Sequence, residues 1–180
     1  RQMCIRDSSK TDYIPISLGN QEDWATGHYM TTLNQRMVSA DTLAADYAME
    51  GDFSDAQYVE ALKRLNEMTP YFTPDFNSTS YDTGINDFIT GKAAIYYEQF
   101  NQVQYIQPAE FEWSWFDFPD IKEGDGDQNA LTGAPQGFMV SADTAHPDEA
   151  VEFLKYLTSK EVAAKMVKDT PVSYTHLTLP

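Results

Sequence analysis

The stretch "FITGKAAIYYEQF", Phe88 to Phe100, reads as a helix end, a stop, a strand and a loop. Phe88 and Ile89 close a helical pattern that runs over Tyr81 to Thr90 and also buries Ile85, with Gly91 as its C-terminal stop. Ala93-Ala-Ile-Tyr-Tyr97 is a short apolar run of the kind that forms a buried strand. Glu98-Gln-Phe-Asn101 lies beyond the strand's C-terminal end and leads into another short helix.

Working outward, the same alternation recurs. Upstream, Tyr13-Ile-Pro-Ile-Ser-Leu18 is a strand ended by Gly19-Asn20. Gln21-Glu22-Asp23-Trp24 then precedes a segment in which Trp24, Tyr29, Leu33 and Met37 recur at helical spacing, with Asp23 as the expected cap. That places Trp24 in a first helical turn, just past a strand's C-terminal end, where open α/β sheets bind ligands. Ser54-Asp-Ala-Gln57 has the spacing of a capping box, and Val59, Leu62, Leu65 and Met68 form the apolar stripe of an amphipathic helix stopped by Thr69-Pro70. A polar loop follows over Tyr71 to Thr79.

Downstream, Phe111-Glu-Trp-Ser-Trp115 alternates as a one-sided strand does, which puts Trp113 and Trp115 on a buried face. Ile121 to Thr132 reads as a hydrophilic loop and Gly137-Phe-Met-Val-Ser141 as another strand. Two helices close the pattern. The first starts at Pro147 with Asp148 and Glu149 in its first turn; the second opens with Thr158-Ser-Lys-Glu161, again at capping-box spacing. Strands alternating with helices make the class α/β.

The two ends of the chain carry a different message. Met3-Cys-Ile-Arg-Asp7 back-translates to ATGTGTATAAGAGAC, whose reverse complement encodes Val172-Ser-Tyr-Thr-His176. This inverted repeat resembles the mosaic-end adapter that transposase-based library preparation adds to DNA fragments, and extending the adapter accounts for Arg1-Gln2 and for Leu177 to Pro180. Residues 1–8 and 171–180 are therefore read as adapter translation flanking a fragment of a longer gene. Setting them aside removes the chain's one cysteine, Cys4, and makes the net charge of −16 one unit more negative.

With no cysteine left, a disulfide scaffold and a thiol nucleophile are excluded. The negative charge disfavours nucleic acid and anionic membrane surfaces, which would repel it. No apolar run approaches the ~20 residues of a membrane span. Three tryptophans, ten phenylalanines and eleven tyrosines on an acidic chain suit a neutral polar ligand such as a sugar, whose C–H faces stack on rings while carboxylates accept its hydroxyl protons.

Motifs of catalysis are missing: there is no G-x-S-x-G, H-E-x-x-H or P-loop. Asp125-Gly-Asp127 lacks the twelve-residue pattern and closing glutamate of a calcium loop and reads as solvated. His28 and His146 stand alone rather than in a metal-ligand group. Neither metal nor cofactor is called for.

In order, "FITGKAAIYYEQF", "FDFP" (Phe116 to Pro119), "GAPQGFMVS" (Gly133 to Ser141) and "HPDEAVEFLKYLTSKEVAAK" (His146 to Lys165) resemble the extracellular solute-binding proteins of carbohydrate ABC transporters, the group that includes maltodextrin-binding proteins. The resemblance implies a two-lobed fold that closes on its ligand like a hinged clamp and presents it to a membrane permease. By that analogy residues 9–132 are most of the C-terminal lobe, 133–141 a hinge crossing, and 142–170 two helices of the N-terminal lobe. The implied protein is extracytoplasmic, either periplasmic or a lipoprotein at the cell surface, is monomeric when intact, and catalyses nothing.

Three loops should face the ligand. The first carries Glu22 and Trp24, a hydroxyl acceptor beside a sugar platform. The second carries Glu98, Phe100 and Asn101; here the family has an acid followed by G-x-W, whereas Asn101 stands at the tryptophan position and Phe100 is the available ring. The third is Gly133 to Gln136, where Gln136 meets hydroxyls. Two alternatives stand beside a binding module: a glycosidase fragment using two of the many carboxylates, and a truncated chain with no activity of its own. The fragment reading also leaves the apolar faces of the last two helices, with Phe153, Leu154 and Leu157, without the sheet they should cover.

Overall fold

A computed structural model of the chain describes residues 13–99, 102–133 and 137–169. Both adapter-like ends, residues 1–8 and 171–180, thus lie wholly outside the described residues. The chain divides into two compact units: one holds the described residues up to Glu98 together with Pro108–Thr132, the other those of Gln99–Gln107 and of the chain from Gly133 onward.

The first unit is built on two parallel strands, β1 (Ile14–Ser17) and β2 (Ala93–Tyr96), paired as Ile14 with Ala93, Ile16 with Ile95 and Ser17 with Tyr96. Ile16 makes a further parallel bridge to Phe72. Four helices accompany them: α1 (Ala25–Met37), α2 (Ala40–Tyr47), α3 (Ala56–Met68) and α4 (Tyr81–Ile89). Two clusters form the core. Ile16, Leu18, Ala25, Tyr29 and Phe72 pack at the strand ends, while Leu33, Met37, Val38 and Ala61 join α1 to α3. Fully burying side chains such as Leu33 and Met37 stabilises by about 1.5–3 kcal/mol each, so α1 is held chiefly by its apolar face.

Close backbone approach sets the relation between β1 and α4. A Cβ on Gly19 would stand 2.0 Å from the Ser80 carbonyl oxygen, so only glycine lets the β1 exit lie against the α4 N-terminus. Ser17 Oγ also donates to the Gly84 carbonyl at 2.5 Å, and the Leu18 amide donates to Thr73 Oγ1 at 3.0 Å.

Several helix starts differ in detail from the sequence reading. Trp24, not Asp23, is the N-cap of α1; Asp23 takes a left-handed φ of 63°, and Asn20 Oδ1 instead accepts from the Thr26 amide at 3.0 Å. Asp55 rather than Ser54 caps α3, accepting from the Gln57 amide at 2.8 Å. Helix α2 was not read from the sequence at all; Ser39 caps it.

Two expected strands are corrected. Residues 111–120 follow no ladder, and Trp115 is 69 % exposed, so the alternation there does not mark a buried face. Residues 137–141 are likewise irregular. The 121–132 loop is not solvated throughout. Gly126 N and Asp125 N donate to the Arg36 and Met37 carbonyls, and Gln128 Nε2 donates to the Arg36 carbonyl at 2.7 Å, so the loop satisfies the C-terminal end of α1.

The second unit contains α5 (Val103–Ile106), α6 (Pro147–Leu157) and α7 (Lys160–Asp169). Pro147, Asp148 and Glu149 occupy the first turn of α6, as their spacing predicts. At the next junction Ser159 Oγ accepts from the Val162 amide at 3.4 Å, whereas Thr158 Oγ1 donates back to the Leu154 carbonyl. No helix among the described residues is long and apolar enough to cross a membrane.

Candidate ligand-binding site

At the C-terminal ends of β1 and β2, the first unit gathers Glu22, Trp24, His28, Tyr81, Tyr96, which closes β2, and Glu98. The loop after β1 is pinned by Asn20, whose Oδ1 accepts from both the amide and the hydroxyl of Thr26 and whose Nδ2 donates to Asn77 Oδ1 at 2.9 Å. This fixes where α1 begins, and with it Trp24.

Tyr81 connects the three expected site residues that the structure describes. Its backbone N–H donates to Glu22 Oε2 at 3.0 Å, its phenol donates to Glu98 Oε2 at 2.7 Å, and its ring lies 4.5 Å from that of Trp24. Glu22 therefore supplies an anion at the first turn of α4, a position the helix dipole favours. Trp24 also meets His28 edge-on, with ring centroids 5.3 Å apart, and is 42 % exposed. It is not a core residue of α1: part of its surface stays open to solvent.

Glu98 is the electrostatic centre. Its side chain is 5 % exposed, Oε2 accepts from Tyr96 at 2.8 Å as well as from Tyr81, and Oε1 lies 3.9 Å from His28 Nε2. Burial first, and the Glu98 carboxylate in addition, push the Tyr96 phenol above its ordinary range; Tyr81 is raised for the same leading reason. Both phenols thus remain protonated donors at neutral pH. The arrangement holds aromatic surface, a histidine and hydroxyl groups in place around one enclosed carboxylate, which suits recognition of an uncharged polyol.

A second hydroxyl chain flanks it. Thr32 Oγ1 shares a 2.5 Å hydrogen bond with Tyr97 Oη and lies 3.1 Å from Thr132 Oγ1, which donates to Gln35 Oε1 at 2.8 Å.

Of the six site residues expected from sequence, Glu22, Trp24 and Glu98 converge. Phe100, Asn101 and Gln136 lie outside the described residues. Sequence reasoning missed Tyr81, His28 and Tyr96. Two of these carried a usable signal: His28 follows Trp24 by four residues and so shares its helix face, and Tyr96 closes β2 two residues before Glu98. Tyr81 had none, because its partners lie 59 and 17 residues away.

Residues 8–164 match the family model described as bacterial extracellular solute-binding protein. No curated protein matches the chain. Among solved structures, a chitin oligosaccharide binding protein superposes with a TM-score of 0.79 at 19% identity, covering 95% of this chain and 44% of its own. A structure from work on xylan utilization by the thermophilic bacterium Caldanaerobius polysaccharolyticus gives 0.72 at 23% identity, covering 86% and 42%. The bacterial solute receptor AcbH, described as having a preference for β-D-galactopyranose, gives 0.54 at 16%, covering 64% and 30%. The chain thus spans less than half the length of each of these proteins.

Proposed function

The chain belongs to the bacterial extracellular solute-binding protein family, and from that premise we propose that it is part of a receptor that captures an uncharged sugar or oligosaccharide outside the cytoplasm and hands it to an ABC transporter permease. The observation that carries this reading is the half-open Trp24 face set beside His28 and Tyr81 over the enclosed Glu98. Stacking on an indole with polar groups at its rim is the means by which proteins hold pyranose rings.

In this reading the first unit belongs to the C-terminal lobe, residues 133–141 form a crossing, and α6 and α7 belong to the N-terminal lobe, with the adapter-like ends foreign to the natural protein. The full receptor is periplasmic or anchored by lipid. Ligand touches both lobes only when they are closed, so its differential affinity shifts the population toward the closed form. No bond is broken, and the two site carboxylates are engaged as acceptors for an amide and two phenols.

The test is thermal melting with neutral oligosaccharides, followed by analysis of the sugars. Ligand at about a hundred times its Kd should add about 2.7 kcal/mol of stability and be recovered intact. Released reducing ends would assign the protein to the glycosidases instead, and the absence of any stabilisation across sugars would remove the saccharide reading.

A further inference from the structure

Helix α1 holds two adjacent threonines that spend their hydroxyls differently. Thr31 Oγ1 donates back to the Gly27 carbonyl at 2.8 Å, the bond that a threonine inside a helix ordinarily makes. Thr32 is 3 % exposed, and its hydroxyl meets Tyr97 Oη at 2.5 Å and Thr132 Oγ1 at 3.1 Å, partners 65 and 100 residues along the chain.

These hydrogen bonds run one way. A hydroxyl carries a single proton. Thr132 spends its own on Gln35 Oε1 at 2.8 Å, so toward Thr32 it can only accept. Thr32 therefore donates to Thr132, and the Tyr97 phenol donates to Thr32. The Tyr97 ring is held for this by Tyr29 at 4.7 Å and Phe118 at 5.5 Å between centroids, and burial raises its phenol pKa, which keeps the donated proton in place. Thr32 is the group on which two distant segments meet.

Both segments are places where the chain leaves the first unit. That unit comprises the described residues up to Glu98 and then Pro108–Thr132. Thr32 thus grips the last residue before one exit and the last but one before the other. Tyr97 also directly precedes Glu98, the enclosed carboxylate of the candidate site.

We infer that Thr32 is a clamp for both exits: one buried hydroxyl fixes Tyr97-Glu98 and Thr132 to α1, so that the bending a two-lobed receptor needs is confined to the chain beyond them. The inference rests on the two-lobed reading above and deepens it by setting the inner limit of the bend. Because Glu98 follows Tyr97, the clamp also keeps the site carboxylate with the first unit while the chain past it turns.

Backbone amide relaxation of the full chain tests this without a ligand. In the parent, the Glu98 and Thr132 amides should have order parameters of about 0.85, the value of rigid backbone. Thr32→Val should lower both, Thr132 toward the ~0.6 of flexible segments and Glu98 by about 0.1, since Tyr81 and Tyr96 still hold its carboxylate, with Leu65 in α3 unchanged. Thr132→Val should loosen only Thr132, Tyr97→Phe only Glu98, and Thr32→Ser, which keeps the hydroxyl, neither. Loosening of one amide or none in Thr32→Val overturns the shared clamp, and so does equal loosening of Leu65, which would make the hydroxyl a general packing contact. Should Thr32→Val fail to fold, Tyr97→Phe and Thr132→Val decide, and two unmoved amides overturn the clamp. Sugar binding is scored separately on the parent: a failed clamp leaves the receptor reading standing, whereas the expected loosening with no saccharide bound overturns that reading and keeps the fastening.

Discussion

The phenol of Tyr81 donates to Glu98 Oε2 at 2.7 Å, tying the first turn of α4 to the end of β2. Tyr96 donates to the same oxygen, so one enclosed carboxylate orients two rings at once. Tyr81 in turn carries Trp24 on its face and takes the Glu22 carboxylate on its amide.

Glu98→Ala should therefore strand two phenols and cost about 2–6 kcal/mol, because each unsatisfied buried group costs about 1–3 kcal/mol. Urea denaturation of the parent and variant measures this. A Tyr81→Phe, Tyr96→Phe double-mutant cycle should show coupling; strict additivity would mean that the two phenols do not share their acceptor.

Trp24→Ala should weaken saccharide binding at least tenfold, about 1.4 kcal/mol, while moving the melting temperature little, since the ring is already partly solvated. Trp24→Phe should recover part of the affinity. Unchanged titration curves for Trp24→Ala would exclude this ring as the platform.

Tyr29, Tyr81, Tyr96 and Tyr97 all have phenol pKa values raised above the ordinary 10.0, burial being the leading cause in each. A raised folded-state pKa means that the native state keeps a proton the unfolded chain releases. Their contribution to stability is complete below pH 10 and is lost as pH climbs above it. Absorbance near 295 nm should show these phenols ionising late and together with loss of circular dichroism. Complete tyrosine ionisation with native circular dichroism retained would contradict the buried network.

Gly126→Ala would put its Cβ 2.1 Å from the Gln35 carbonyl oxygen and should cost about 1–3 kcal/mol by forcing the loop off the end of α1. Gly133, with nothing within 4 Å, should accept alanine without loss. Equal melting temperatures for the two variants would refute the docking of this loop.

Helix α6 leaves Phe153 60 % and Tyr156 61 % exposed. Contiguous exposed apolar groups of this kind drive association. Sedimentation of the chain should be concentration-dependent, and Phe153→Lys should reduce the effect. A monomer at all concentrations would show that this face needs no cover.

The elements legible in the sequence are those whose cause is local. Val59, Leu62 and Leu65 repeat at helical spacing and α3 forms where they fall, but Val59 and Leu62 stay exposed and the helix packs through Ala61 and Leu65; Gly91 stops the helix before β2, and the apolar run after it becomes β2. Phe111 to Trp115 shows the limit of that logic. Alternation marks a strand only when a neighbouring strand accepts its ladder, and the chain offers none there among the described residues. Helix α2 was missed for the converse reason: Ala40–Tyr47 has little apolar stripe of its own, and it is held by the Ser39 cap, by Leu43 packing on the core shared by α1 and α3, and by Asp46 accepting from Phe53 N and Tyr58 Oη.

From sequence alone came the α/β class, the order of the elements around β2, and the presence of Trp24 and Glu98 at strand ends, because periodicity and capping act within a few residues of their cause. The convergence of Glu22, Trp24 and Glu98 on Tyr81 belongs to the tertiary structure alone. It depends on parallel pairing of β1 with β2 and on the Gly19 contact with Ser80, and hydrogen bonds between residues so far apart along the chain leave no period in it.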